Sequence, residues 1–168
     1  MQLAQRRLSF LGTLPSDAAG TRDTLAIMRT LVRKFKRDPM MRDAAISLLA
    51  GLKPRDWSGE VRAIFEYARD RIRYTRDVSG VETIQTPPVT MELEAGDCDD
   101  KSTLLAALLE SVGHPTRFVA AGYQEPGRYS HVYVETKIKD RWVPLDATVA
   151  QPFGWRPRHP AASMIVFN

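Results

Sequence analysis

The chain has 168 residues, 43% hydrophobic and 26% charged, with a formal net charge of +4 and a single cysteine. That composition suits one soluble globular domain able to bury a core without disulfides or metals. One cysteine excludes an internal disulfide and a cysteine-rich zinc site. No run approaches the ~20 apolar residues of a membrane span, and the N-terminus lacks the apolar stretch of a signal peptide.

These exclusions lead to an expected place in the cytoplasm, or in a particle assembled there, with no membrane partner, no metal and no cofactor. Charge is unevenly spread. Residues 1–42 hold nine Lys/Arg against three Asp/Glu, while the remainder holds fifteen against seventeen. The basic excess is a solvated helix face or a contact for an acidic partner. The solvated face is the expectation, and where the charge does make a contact the partner is a protein. Nucleic acid ranks last, because no RNA- or DNA-binding motif accompanies the charge.

Residues 1–20 read as an arm, broken by Gly12, Pro15 and Gly20. Thr21 or Asp23 is the expected cap of a first helix running to Phe35, with Leu25, Met28, Leu31, Val32 and Phe35 at helical spacing. Pro39 opens a second helix to Leu52. Ser58 is the expected cap of a third, to Arg73, with Val61, Ile64, Phe65, Ala68 and Ile72 on one face. Residues 74–85 read as irregular, turning near Ser79-Gly80, and Thr86-Pro87-Pro88 as extended. Cys98 to Val112 reads as a helix apolar nearly all round, ended by Gly113. Arg117 to Tyr123 is a strand. Ser130 to Ile138 and Arg141 to Thr148 form a hairpin turning at Lys139-Asp140, and Met164 to Phe167 a last strand. Helices, a central buried helix and then strands make an α+β fold. We divide it into an N-terminal arm with helices, residues 1–52, and a core, residues 53–168.

The lone thiol carries the chemistry. With Asp97 as N-cap, Cys98 is the first helical residue, at the positive end of the macrodipole, which lowers a thiol pKa. Asp97 and Asp100 suit capping, but their charge opposes a thiolate, so a histidine partner is required. His114 follows the far end of the same helix, about 22 Å away at ~1.5 Å per residue. His159 stands beside a proline in the tail. His131 opens a strand. A two-residue turn pairs position i with 279 − i and puts Asp146 opposite Tyr133, one diagonal step from His131 on the same face. Cys98, His131 as base and Asp146 as its orienting carboxylate form the recipe for nucleophilic catalysis. The Cys98 backbone N–H and Gln85 are the candidate oxyanion donors. The plain alternatives are a small buried cysteine, a satisfied strand-end histidine and a turn-capping aspartate. Asp97, Asp99 and Asp100 point around the helix and do not converge on an ion. Trp142 and Trp155 suit a substrate groove or the core equally.

Gly96-Asp97-Cys98-Asp99-Asp100, the apolar helix ending at Gly113, Ser130-His131-Val132 and Trp142-Val143-Pro144-Leu145-Asp146 together resemble the transglutaminase-like superfamily. The helix from Ser58 followed by Ile72-Arg73-Tyr74 is similar to the segment before that family's core. The resemblance implies a papain-like core, with a cysteine helix packed on a small antiparallel sheet and Cys98, His131 and Asp146 as the triad. It implies attack on an amide of a protein or peptide through a thioester, resolved by water in hydrolases and proteases or by an amine in cross-linkers. Hydrolysis is the expectation. The family also has inactive members, so the alternative is a non-catalytic assembly module. Compact members with this block resemble proteins of bacteriophages, which makes a phage particle the expected setting of such a module.

Overall fold

The computed structural model describes residues 10–12, 17–76, 82–158 and 161–168. Strand β1 (Phe10–Gly12) is followed by α1 (Ala18–Phe35), α2 (Pro39–Leu48), α3 (Trp57–Asp70), β2 (Arg73–Tyr74), β3 (Glu82–Ile84), α4 (Pro87–Leu93) and β4 (Ala95–Gly96). Then come α5 (Cys98–Ser111), β5 (Thr116–Gly122), β6 (His131–Ile138), β7 (Arg141–Leu145) and β8 (Ala162–Phe167). Four strands form an antiparallel sheet in the order β7-β6-β5-β8, while β1 pairs with β3 and β2 pairs in parallel with β4. This is the expected α+β architecture, a buried cysteine helix against a small antiparallel sheet.

Helix α5 is the hub. Leu104 through Leu109 have no exposed surface, as a helix apolar all round requires. Phe118, Ala120, Val132, Val134 and Leu145 of the sheet share one core with it. The same core takes Leu25, Met28 and Val32 of α1, Met41 and Ala45 of α2, and Ile64 and Phe65 of α3. Part of the N-terminal basic charge turns inward at the far end of α5. Lys36 Nζ lies 2.7 Å from Glu110 Oε2, and Arg42 donates to the Ser111 carbonyl at 3.3 Å. Cations there complement the negative end of the macrodipole.

Four local expectations shift. The cap of α1 is Asp17, which accepts from the Ala19 and Gly20 amides, not Thr21 or Asp23. The cap of α3 is Asp56, accepting from Gly59, not Ser58. In both places an aspartate stands a few residues upstream, and its carboxylate caps at least as well as a hydroxyl. Thr86 is extended, with ψ 148°, but Pro87 and Pro88 open α4, a position where the missing N–H would be unpaired anyway. Helix α2 stops at Leu48, and Gly51 turns the chain at φ +84°. The Ser79-Gly80 turn and His159 lie outside the described residues. The hairpin keeps the expected register, from Ile138↔Arg141 to Val134↔Leu145. Lys139 takes its turn position at φ 54°. None of the described helices is long and apolar enough to cross a membrane.

Candidate active site

The carboxylates around Cys98 build the helix start. Asp97 Oδ1 accepts from the Asp99 amide at 2.9 Å and the Asp100 amide at 3.1 Å. Asp100 Oδ2 takes the Asp97 amide at 3.3 Å in return, a reciprocal capping box with aspartate in the usual glutamate place. Asp100 Oδ1 also accepts from the Gln85 amide at 2.7 Å, so one buried side chain ties the helix to the chain before α4. Gly96 makes this closeness feasible. A Cβ there would sit 2.6 Å from Asp100 Cβ. Strand β2 lies alongside, with Tyr74 opposite Gly96 and the Thr75 amide on the Gly96 carbonyl at 3.0 Å.

Cys98 is half-buried. Its Sγ is 3.6 Å from Asp99 Oδ1, and the Val132 backbone lies within hydrogen-bonding reach of it. One turn on, Ser102 donates to the Val132 carbonyl at 3.3 Å. The first turn of α5 therefore rests on the residue that follows His131. The thiol pKa is raised well above its ordinary value. Burial is the main cause, followed by the charges of Asp99 and Asp97; the Val132 N–H opposes the rise but does not cancel it. This reverses the pull of the macrodipole expected from position alone. The thiol rests protonated.

His131 Nε2 lies 2.8 Å from Asp146 Oδ2. The hairpin register delivers that contact. The other Asp146 oxygen accepts from the Thr148 amide at 3.0 Å and the Thr148 hydroxyl at 2.6 Å. Asp146 is only 3% exposed. Burial by itself pushes its carboxyl up, but the His131 and Thr148 bonds outweigh it and hold the pKa below the usual carboxylate value. With Nε2 facing a fixed carboxylate, Nδ1 is the ring atom left to exchange a proton with a thiol. Tyr133 stacks on the imidazole, ring centroids 6.3 Å apart and 23° between planes. Burial and then the Glu135 charge push the Tyr133 phenol to about 12. On the solvent side the Tyr123 ring lies 6.5 Å from His131.

The fold thus sets Cys98 against the backbone of Val132, the neighbour of His131 in the chain, and sets His131 against Asp146. The Gln85 main-chain N–H bonds Asp100, and its side-chain oxygen faces the Thr90 hydroxyl at 3.4 Å. His114 is remote, bound at 2.8 Å to Glu60 of α3. Trp142 lies four residues along β7 from Asp146, against Phe167 and Arg117. Among the described residues, no three His, Cys, Asp or Glu side chains converge as metal ligands.

Sequence reasoning missed Lys101. It is 2% exposed, and its ammonium donates to the Ile72 carbonyl and, at 3.4 Å, to the Arg69 carbonyl. It clamps the last turn of α3 to the cysteine helix. Burial lowers its pKa to about 8, against the pull of Asp146 and Asp70. A lysine three residues past the cysteine, in a helix otherwise read as buried, was the available signal.

The family model of the transglutaminase-like superfamily matches residues 44–147, a span running from α2 to the residue after Asp146. Among solved structures, a candidate cysteine protease from Cytophaga hutchinsonii is similar at TM-score 0.53 and 20% identity, over 77% of this chain and 46% of that one. A candidate protease from Parabacteroides distasonis is similar at TM-score 0.61 and 13% identity, over 82% of this chain and 27% of that one. At such identities the likeness is one of fold, and this chain spans less than half of either relative. No curated protein matches it.

Proposed function

Because this chain belongs to the transglutaminase-like superfamily, we propose that it cleaves amide bonds of a peptide or of a glutamine side chain through a thioester on Cys98. The observation that carries this reading is the 2.8 Å His131–Asp146 contact beside a thiol seated on Val132. Cys98 Sγ attacks the amide carbonyl while His131 takes the thiol proton. The raised thiol pKa makes that transfer concerted with attack, not the prior formation of an ion pair. The proton passes to the leaving amine. Asp146 holds the imidazole in one tautomer and stabilises its charged form.

The carbonyl oxygen, negative in the tetrahedral intermediate, is received by the Cys98 backbone N–H and by the Gln85 side-chain amide. Two bonds support the Gln85 role. Its main-chain N–H is fixed to Asp100, and its side-chain oxygen faces Thr90, which turns the NH2 end into the donor. Water then attacks the thioester, with His131 as base, and releases the acid. Hydrolysis is the default acceptor chemistry, because water is abundant.

The test is acylation by a p-nitrophenyl ester, followed by intact mass and nitrophenolate release. The expected result is a transient mass increment on Cys98, no increment in Cys98→Ala, and turnover little changed by millimolar primary amine. Stoichiometric transfer to the amine would reassign the protein as a cross-linker. Equal acylation in wild type and Cys98→Ala would remove the catalytic reading. One observation favours a second reading, the non-catalytic module expected of a phage particle: a resting thiol so disfavoured as thiolate is also what an inert cysteine shows.

A further inference from the structure

Two tyrosines flank Cys98 that the acyl-transfer chemistry does not use. Tyr74 and Tyr123 are each 42% exposed, unusual for large aromatic rings flanking a half-buried thiol. They come from different halves of the fold. Tyr74 is on β2, opposite Gly96, two residues before Cys98. Tyr123 follows β5 and places its ring 6.5 Å from that of His131. Both phenols feel the cysteine electrostatically. The Tyr74 pKa is raised by burial first and then by Cys98 and Asp97, with Arg76 opposing. That of Tyr123 is raised by burial, then by Asp146 and Cys98. Tyr74 is thus carried by the strand paired to the residues just before Cys98, and Tyr123 by the segment after β5 beside His131.

Resting on the acyl-transfer reading above, we propose that Tyr74 and Tyr123 are the two walls of a subsite for an aromatic or long aliphatic side chain flanking the attacked amide. Exposed, stiff rings gain most by covering an apolar group. An acidic side chain would meet the carboxylates of Asp97 and Asp99 beside the sulfur. A basic one would meet Arg76, which bonds the Tyr74 phenol. A glycine would leave both rings wet. The subsite thus selects an extended polypeptide with a bulky apolar residue at that position.

The experiment uses acetyl-X-glycyl acyloxymethyl ketones, with X as Phe, Gly, Glu or Lys, and measures the second-order rate of Cys98 labelling by intact mass. The Phe-to-Gly rate ratio cancels any change in thiol reactivity between variants. In wild type it should exceed about tenfold, since filling such a site is worth ~1.4 kcal/mol or more. It should fall below about threefold in Tyr74→Ala and in Tyr123→Ala. Tyr74→Phe and Tyr123→Phe keep the rings and should keep the ratio, and they carry the test if an alanine variant misfolds. A wild-type ratio near one, or a preference for Glu or Lys over Phe, overturns the subsite and leaves the acyl-transfer reading standing. Failure of every probe to label Cys98, with alkylation by iodoacetamide unaffected by His131→Ala, overturns both.

Discussion

The two ends of α5 carry the same pair of groups. At its start His131 meets Asp146 at 2.8 Å, and beyond its end His114 meets Glu60 at 2.8 Å. Both imidazoles use Nε2, and both carboxylates come from a neighbouring element. His114 is 7% exposed, and the His131 side chain 14%. A histidine–carboxylate pair is therefore no site by itself. What separates the ends is their surroundings. The His131 end holds a half-buried thiol, a capping box and two exposed tyrosines. The His114 end holds Arg42 on the Ser111 carbonyl, Lys36 on Glu110 and the Glu110 bonds to Thr116, all of them packing and capping. A cavity of about 350 Å³ does open beside His114, lined by Trp57, Lys137 and Lys139 among others, but it holds no nucleophilic cysteine.

Matched substitutions should break the symmetry most sharply. His131→Ala should lower ester acylation of Cys98 by on the order of 10³-fold, as loss of a general base does. His114→Ala should change it less than about threefold. It should instead cost about 1–3 kcal/mol in urea unfolding, because Glu60 loses its buried partner. Equal kinetic effects at the two ends would dissolve the distinction. Next in size are the carboxylates. Asp146→Asn should reduce acylation on the order of 10²-fold or more with little change in fold, since the amide can hold the wrong tautomer. Glu60→Gln should leave acylation within about twofold.

A smaller effect concerns the thiol itself. Asp99→Asn removes the largest charge acting against the thiolate. The pH midpoint of Cys98 alkylation should move down, yet stay above the ordinary thiol value, because burial is the larger cause and persists. An unmoved midpoint would assign the shift to burial and Asp97 and leave Asp99 no part in it.

Much of this asymmetry was legible in the chain. Asp97 as cap, the all-round apolar α5 and the turn at Lys139-Asp140 follow from local rules, and the turn alone set the register that joins His131 to Asp146. The distance of His114 follows from helix rise. The caps Asp17 and Asp56 were obscured by hydroxyls nearer the apolar stripes, and α4 by a double proline that reads as extended until its thermodynamically cheap place in a first helical turn is considered. The thiol pKa was the deeper miss. Position on a helix fixes the sign of the dipole, but burial depends on Val132, which arrives from more than thirty residues away in the chain. Lys101 was hidden for the same reason. Nothing local says that its ammonium ends among the carbonyls of α3.

Lys101 also gives the comparison a thermodynamic handle, because the His114 end has no counterpart among the described residues for a lysine buried on carbonyls. Its folded pKa is about 8 against an ordinary 10.5. Between those values the unfolded chain binds more protons than the folded one, so this group's contribution to stability rises with pH from about 8 to 10.5. Below pH 8 both states are protonated and the full penalty of burying the charge applies. At ~1.36 kcal/mol per unit, wild type should gain up to about 3 kcal/mol relative to Lys101→Met over that window. Urea melts of both proteins at pH 7, 9 and 10.5 measure it. At pH 7 the variant loses a partner for the Ile72 carbonyl but also loses a desolvated charge, and the two nearly offset. Its cost should appear in function. With the α3 end no longer pinned to α5, β2 and Tyr74 lose their anchor beside Cys98, and acylation should fall several-fold at unchanged fold. A parallel pH dependence in the two proteins would mean that the Lys101 ammonium is hydrated in solution and that the cysteine end of α5 is looser than its partner.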